Sequence, residues 1–217
     1  MAELRHERPS IKVMCDELRT APGEVTVIAT GPLSNIAAML QQQPDLAELV
    51  GHLIVLGGGL IGPGKVSASA EFNIYCDAEA ARDVFRSQVT KTVLPIDVTR
   101  RVLFGFDMLN QLPDGETRTG RLLQKLLPGA FRAYRQQIGL EGIYLHTAIA
   151  VVAASHPEYF TMERLHGDVE TDGTLTHGTT VFDRRPQPEN RPNMDVVVDV
   201  DEAAVADCIR RTLISAA

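Results

Sequence analysis

Val25-Thr26-Val27-Ile28-Ala29-Thr30-Gly31-Pro32-Leu33-Ser34-Asn35-Ile36-Ala37-Ala38-Met39-Leu40 decides the fold class of this chain. Its first six residues form an apolar, β-branched run without alternation, the pattern of a strand buried on both faces of a parallel sheet. Gly31-Pro32 breaks that run, and Ile36, Ala37, Met39 and Leu40 then return at helical spacing. Strand, tight turn and helix make the first half of a βαβ unit.

The unit repeats downstream. Leu53-Ile54-Val55-Leu56 is a second buried strand running into Gly57-Gly58-Gly59, and a loop from Leu60 to Ala70 leads to Glu71 and Asn73. A helix follows, with Asp77 as its N-cap and Ala80, Ala81, Val84 and Phe85 as its apolar stripe. Val93-Leu94-Pro95-Ile96 is a third short strand, ending at Asp97-Val98-Thr99. Upstream, Ser10 reads as the N-cap of a short helix carrying Ile11, Val13, Met14 and Leu18, stopped by Ala21-Pro22-Gly23.

Beyond Leu103 the pattern turns helical. A segment around Asp107 to Leu112 precedes a longer helix from about Thr117 to Ile138, interrupted or kinked near Pro128-Gly129. Leu145 to Val152 is a further helix, stopped at His156-Pro157. Leu165 to Val169 and Thr179 to Phe182 flank the turn signal Asp172-Gly173 and read as a hairpin. Val196 to Val200 is a last strand and Glu202 to Leu213 an amphipathic helix, while Arg184 to Pro192 reads as a mobile loop.

The predicted architecture is therefore α/β, a mainly parallel sheet flanked by helices, in a single domain over residues 1–217. In such folds ligands bind beyond the carboxyl ends of the strands. Thr30, Gly57, Glu71, Asn73 and Asp97 all fall there.

Composition narrows the partners. The net charge of −7 argues against nucleic acid or an anionic membrane, which are bound by an excess of Lys and Arg. A small molecule or another protein is expected instead. Three cysteines, Cys15, Cys76 and Cys208, lack the spacing of a disulfide framework or a zinc site, so a reducing, cytoplasmic setting is expected. Residues 1–10 lack the apolar core of a signal peptide, and no apolar run approaches the roughly 20 residues of a membrane span.

In order, Ala29-Thr30-Gly31-Pro32-Leu33-Ser34-Asn35, Leu56-Gly57-Gly58-Gly59, Ala70-Glu71-Phe72-Asn73 and Leu145-His146 resemble the inosine-uridine preferring nucleoside hydrolases. The likeness runs from about Ser10 to the C-terminus and takes in Val169-Glu170-Thr171-Asp172-Gly173 and Gly178-Thr179-Thr180. It implies cleavage of the N-glycosidic bond of ribonucleosides with the help of a calcium ion. By that resemblance Thr30 offers its backbone carbonyl to the calcium, Glu71 and Asn73 grip the ribose, and His146 assists the leaving base.

The chain also departs from the family pattern. Members carry an acidic D-x-D-x-x-x-D-D cluster that supplies the catalytic aspartate and most calcium carboxylates, and none of the 217 residues form one. Thr147 stands where the family has a further Asp ligand, and Lys65 where it usually has an Asn that contacts the ribose. Calcium takes roughly 6–8 oxygen ligands and draws affinity from carboxylate charge. The chain is accordingly expected to bind calcium weakly or not at all. It is also expected to be truncated at the N-terminal strands of the family fold, so that an edge of the sheet is covered by the first helix or by a second copy in a homo-oligomer.

Two functions remain open at this level: hydrolysis of ribonucleosides, or a noncatalytic nucleoside- or sugar-binding or assembly protein of the same fold. The residues themselves have plain structural readings. Glu71 and Asn73 could satisfy backbone donors, His146 could be a hydrogen-bonded core histidine, and Asp97 could cap a strand end. Gly57-Gly58-Gly59 lacks the spacing of a phosphate-binding loop and fits close backbone packing. Lys65 is either solvated or stands in for part of the calcium charge beside Glu71.

Overall fold

The repeated strand–turn–helix pattern becomes a parallel sheet. The computed structural model describes residues 9–62, 64–113 and 115–215, so the N-terminal stretch judged above for a signal peptide lies mostly outside the described residues. In chain order the elements are α1 (Ser10–Thr20), β1 (Thr26–Ala29), α2 (Ser34–Gln42), β2 (His52–Leu56), α3 (Phe72–Cys76), α4 (Ala78–Arg86), β3 (Lys91–Leu94) and α5 (Ile96–Thr99). They continue with β4 (Leu103–Gly105), α6 (Arg118–Ile138), β5 (Gly142–Tyr144), α7 (His146–Ser155), β6 (Phe160–Val169), β7 (Thr180–Asp183), β8 (Met194–Val200) and α8 (Glu202–Ser215). Short 3-10 turns lie at Pro44–Glu48, Phe106–Gln111 and Pro157–Tyr159.

The chain divides into two compact units. One holds the residues up to Ile96 together with Met162–Val198, and the other holds Asp97–Thr161 together with the residues from Asp199 onward. In the first, β1, β2, β3 and β8 are parallel neighbours in that order, and the antiparallel pair β6 and β7 completes a six-stranded sheet. The register Val27↔Leu53, Ile28↔Ile54 and Val55↔Val93 aligns the apolar runs seen in the sequence. Helix α4 buries Ala80, Ala81, Val84 and Phe85 as their spacing predicts, and Asp77 caps it by accepting from the Ala80 N–H at 3.1 Å. A fully buried Phe or Val of this kind contributes about 1.5–3 kcal/mol.

Two strand readings need correction. The run at 25–30 is not buried on both faces: β1 ends the sheet, Thr26 is exposed and Val27, Ile28 and Ala29 are half-buried. Apolar character alone does not separate an end strand from a central one. The third strand is Lys91–Leu94 and not Val93–Ile96, because Pro95 has no N–H to offer a ladder. Lys91 hides in the strand because its stem packs and its ammonium donates to the carbonyls of Ser87 (2.9 Å), Phe85 (3.2 Å) and Asn193 (3.4 Å).

Burial pushes the Lys91 ammonium down to about 8. The unfolded chain therefore holds a proton that the folded chain has lost between about pH 8 and the ordinary lysine range, so stability rises with pH across that window. Urea titrations from pH 7.5 to 10 should show this rise, and Lys91→Met should lack it. An identical slope in both proteins would refute the assignment.

In the second unit β4 and β5 pair antiparallel, with Phe104 opposite Ile143, a ladder that the sequence does not announce because each strand has only three residues. The segment at 107–112 is a 3-10 turn, Phe106–Gln111. Helix α6 runs unbroken through Pro128, against the expected interruption. The carbonyl that Pro128 leaves unpaired belongs to Gln124, an exposed residue, so water can satisfy it. Buried Leu127 and Phe131 hold both sides of the proline, and Phe131 stacks on Phe106 at 4.9 Å between ring centroids. Thr117 caps the start of α6 through the Gly120 N–H at 2.9 Å, and Gly139 ends it at φ 69°.

Candidate functional site

In the first unit the ends of β1 and β2 are tied together by one side chain. Asn73 donates from Nδ2 to the Leu56 carbonyl at 2.9 Å and reaches the Thr30 carbonyl at 3.5 Å. Two residues earlier, Glu71 is 5% exposed, and all three backbone N–H groups that reach its carboxylate land on Oε2: Asn73 at 2.9 Å, Gly58 at 3.3 Å and Ile74 at 3.4 Å. Burial pushes the Glu71 carboxyl above its usual range, while those N–H groups and the charge of Lys65 pull it back.

Glu71 and Asn73 do not sit on a plain loop before the Asp77 cap. Glu71 itself caps the five-residue helix α3, and Asn73 occupies that helix's first turn. Glu is an uncommon N-cap, which is why the sequence pattern marks only Asp77. The structural reading of Glu71 is thus met by Oε2, and the carboxylate is held in place by the backbone.

The glycine run earns its backbone freedom at Gly58, where φ is +78° and a Cβ would stand 2.7 Å from Thr180 Cγ2. The Gly58 carbonyl accepts from the Ile96 N–H at 2.9 Å. Thr180, which opens β7, donates to the Gly59 carbonyl at 2.7 Å and accepts from the Gly59 N–H at 2.9 Å. Nothing in the residue pattern gives Thr180 this part; only the hairpin register, Val169 opposite Thr180, brings it there.

In the second unit His146 opens α7. Its Nδ1 is hydrogen-bonded to the Thr99 hydroxyl at 2.8 Å, and its ring stacks on Tyr144 at 5.3 Å, which in turn meets Tyr134 edge-on at 6.2 Å. Thr147 is exposed and Asp97 half-buried in α5.

Among the described residues the side chains do not gather the carboxylates that a calcium ion needs. Among the described residues no three His, Cys, Asp or Glu groups gather closely enough to hold a metal. The Thr30 carbonyl faces an amide N–H of Asn73, and in the second unit the exposed Thr147 carries a neutral hydroxyl.

The α/β architecture and these motif positions have close counterparts. The sequence profile described as "Inosine-uridine preferring nucleoside hydrolase" matches residues 2–207, and the chain belongs to that family. It is 37% identical over 194 residues to the non-specific ribonucleoside hydrolase RihC of Salmonella paratyphi A, covering 89% of this chain and 62% of that protein. It is 36% identical over 195 residues to the RihC of Escherichia coli, covering 90% and 62%. The chain thus spans less than two thirds of the length of these curated relatives.

Solved structures agree on the fold. The plant nucleoside hydrolase PpNRh1 superposes with a TM-score of 0.87 at 29% identity, covering 98% of this chain and 70% of that one. The purine-preferring ribonucleoside hydrolase of Gardnerella vaginalis gives 0.88 at 28% identity, covering 96% and 66%. Among the described residues no helix is long and apolar enough to cross a membrane.

Proposed function

We propose that this chain acts on ribonucleosides as an N-ribosyl hydrolase, splitting the bond between ribose and a purine or pyrimidine base. Water breaks the C1′–N bond, its oxygen ending on C1′ and a proton ending on the base nitrogen. Glu71 accepts from the ribose hydroxyls through Oε1, and Asn73 adds its amide oxygen. The observation that carries this reading is the Glu71 carboxylate, buried to 5% exposure yet fixed by three backbone N–H groups on one oxygen. Family membership supports it.

A second reading, a noncatalytic nucleoside- or sugar-binding protein, is favoured by the donor set, which lacks the carboxylates for calcium among the described residues. One experiment separates the two. Purified protein is incubated with inosine, uridine and a chromogenic riboside, with calcium and with a chelator. Turnover above background that disappears in Asn73→Ala supports hydrolysis. Saturable inosine binding by calorimetry without turnover supports the second reading, and neither turnover nor binding refutes both.

The homo-oligomer belongs to the same proposal, because β1 is apolar, half-buried and ends the sheet. Light scattering should give more than one chain per particle. A single-chain mass with rapid amide exchange at residues 26–29 would exclude an oligomer joined there.

A further inference from the structure

The turn joining β6 and β7, residues 170–179, has no role in the proposed chemistry, yet it grips the Glu71 segment at three places. At its base Thr180 pairs with both the N–H and the carbonyl of Gly59, at 2.9 and 2.7 Å. In the middle, the Thr179 hydroxyl donates to Ser69 Oγ at 2.8 Å, and Ser69 Oγ donates to the Leu175 carbonyl at 3.1 Å. On the α3 side, Gly178 lies at φ +74° with its missing Cβ only 2.7 Å from Tyr75 Cα, and His177 meets the Tyr75 ring edge-on at 5.2 Å.

The turn is itself rigid. The Glu170 carboxylate accepts from the Asp172 and Gly173 N–H groups at 2.8 and 3.1 Å, its backbone carbonyl accepts from Gly178 at 2.7 Å, and the Thr171 carbonyl is bonded to His177 Nδ1 at 2.9 Å. A turn so cross-linked moves as one piece. Its neighbours Gly58 and Gly59 have no side chains of their own to hold a fixed conformation, and Gly58 presents the N–H that reaches Glu71 at 3.3 Å.

We propose that this turn is a brace that sets the Glu71 carboxylate for a ribose, with Thr180 as its positioning residue acting through Gly59 and Gly58. The proposal rests on the ribonucleoside reading for its ligand and on the contacts above for its mechanics. Thr180 fixes Gly59 by donating and accepting at once, a pairing that no methyl group can imitate. Gly58 is held in turn, and its N–H and those of α3 keep Oε2 occupied and the other oxygen turned to the ligand.

The test uses the full chain with Thr180→Val, which keeps the shape and removes the hydroxyl, and Thr180→Ser, which keeps the hydroxyl. Inosine turnover and amide exchange at Gly58, Gly59, Asn73 and Ile74 are measured in each. The Val variant is expected to lose about tenfold or more in kcat/KM, mostly through KM, with the Ser variant within about threefold of the parent. Exchange at the four amides should quicken in the Val variant and not in the Ser variant. A Val variant with parental kcat/KM overturns the brace even if hydrolysis stands. If the parent neither turns over nor binds nucleosides, the ribonucleoside reading fails separately. Exchange then decides: quickened amides in Val alone uphold the mechanics, and unchanged amides overturn them. Should Thr180→Val not fold, Ser69→Ala removes the middle anchor, and unchanged exchange at residues 69–75 overturns the proposal.

Discussion

Replacing Glu71 by Gln should reduce ribonucleoside binding or turnover by about 100-fold or more while leaving the protein folded, since a charge-assisted hydrogen bond to a sugar hydroxyl is worth roughly 1.5–3 kcal/mol and a carboxylate contacts more than one hydroxyl. The amide keeps an oxygen for the Asn73, Gly58 and Ile74 N–H groups that now bond to Oε2. Glu71→Ala removes that oxygen too and should destabilise the fold by about 1–3 kcal/mol, through a lost N-cap and backbone donors left without an acceptor. Thermal unfolding with inosine calorimetry separates these effects. A Gln variant that binds like the parent would show that the carboxylate serves only as a cap.

The same substitution has a pH signature. Burial raises the Glu71 carboxyl in the folded state, so between its ordinary value and the raised one the folded chain holds more protons than the unfolded chain. Stability due to this group is therefore present at low pH and declines as pH rises through that window. Glu71→Gln should flatten the decline in denaturant titrations run upward from the ordinary carboxylate range. An unaltered slope would show that the buried carboxylate titrates normally.

The parallel sheet was legible because its strands repeat a pattern: apolar runs at 26–29 and 53–56 separated by a helix-spaced stripe are enough to imply a βαβ order. Asp77 was legible as a cap for the same local reason. Burial of β1 was not, since the number of strands beyond it is a property of the whole sheet. Lys91 shows the complementary failure: a charged residue marks a surface in any pattern, and only the three carbonyls around its ammonium make it an interior one.

At the candidate site the family motifs placed Glu71 and Asn73 beside the strand ends, but not the job of each oxygen. That Oε2 is consumed by α3 follows from a cap type that propensity disfavours. Thr180 lies more than a hundred residues from Gly59, and no local signal joins them. His146 shows why residue type alone does not assign a role: a hydrogen bond to Thr99 and a stack on Tyr144 orient its ring, which a structural histidine and a proton donor have in common.

Gly58→Ala should be a damaging small change in the Glu71 segment, through both backbone and packing. A left-handed backbone costs a non-glycine residue about 1 kcal/mol, and forcing a methyl into occupied space adds about 1–3 kcal/mol. The occupied space is the Thr180 side chain, with Cγ2 at 2.7 Å and Oγ1 at 2.9 Å from the added Cβ. A branched side chain at the start of a strand cannot swing aside while Oγ1 still serves both polar groups of Gly59. The clash must therefore be relieved by moving Gly58, which withdraws its N–H from Glu71, or by turning Thr180, which releases Gly59. Either route should disturb the proposed nucleoside binding as well as stability. The double variant Gly58→Ala with Thr180→Ser discriminates between strain and clash: Ser lacks the obstructing methyl but keeps Oγ1, so it should recover part of the packing loss and leave the backbone loss of about 1 kcal/mol. Denaturant midpoints of the two single variants and the double variant measure this directly, and strict additivity would show that the two side chains do not meet.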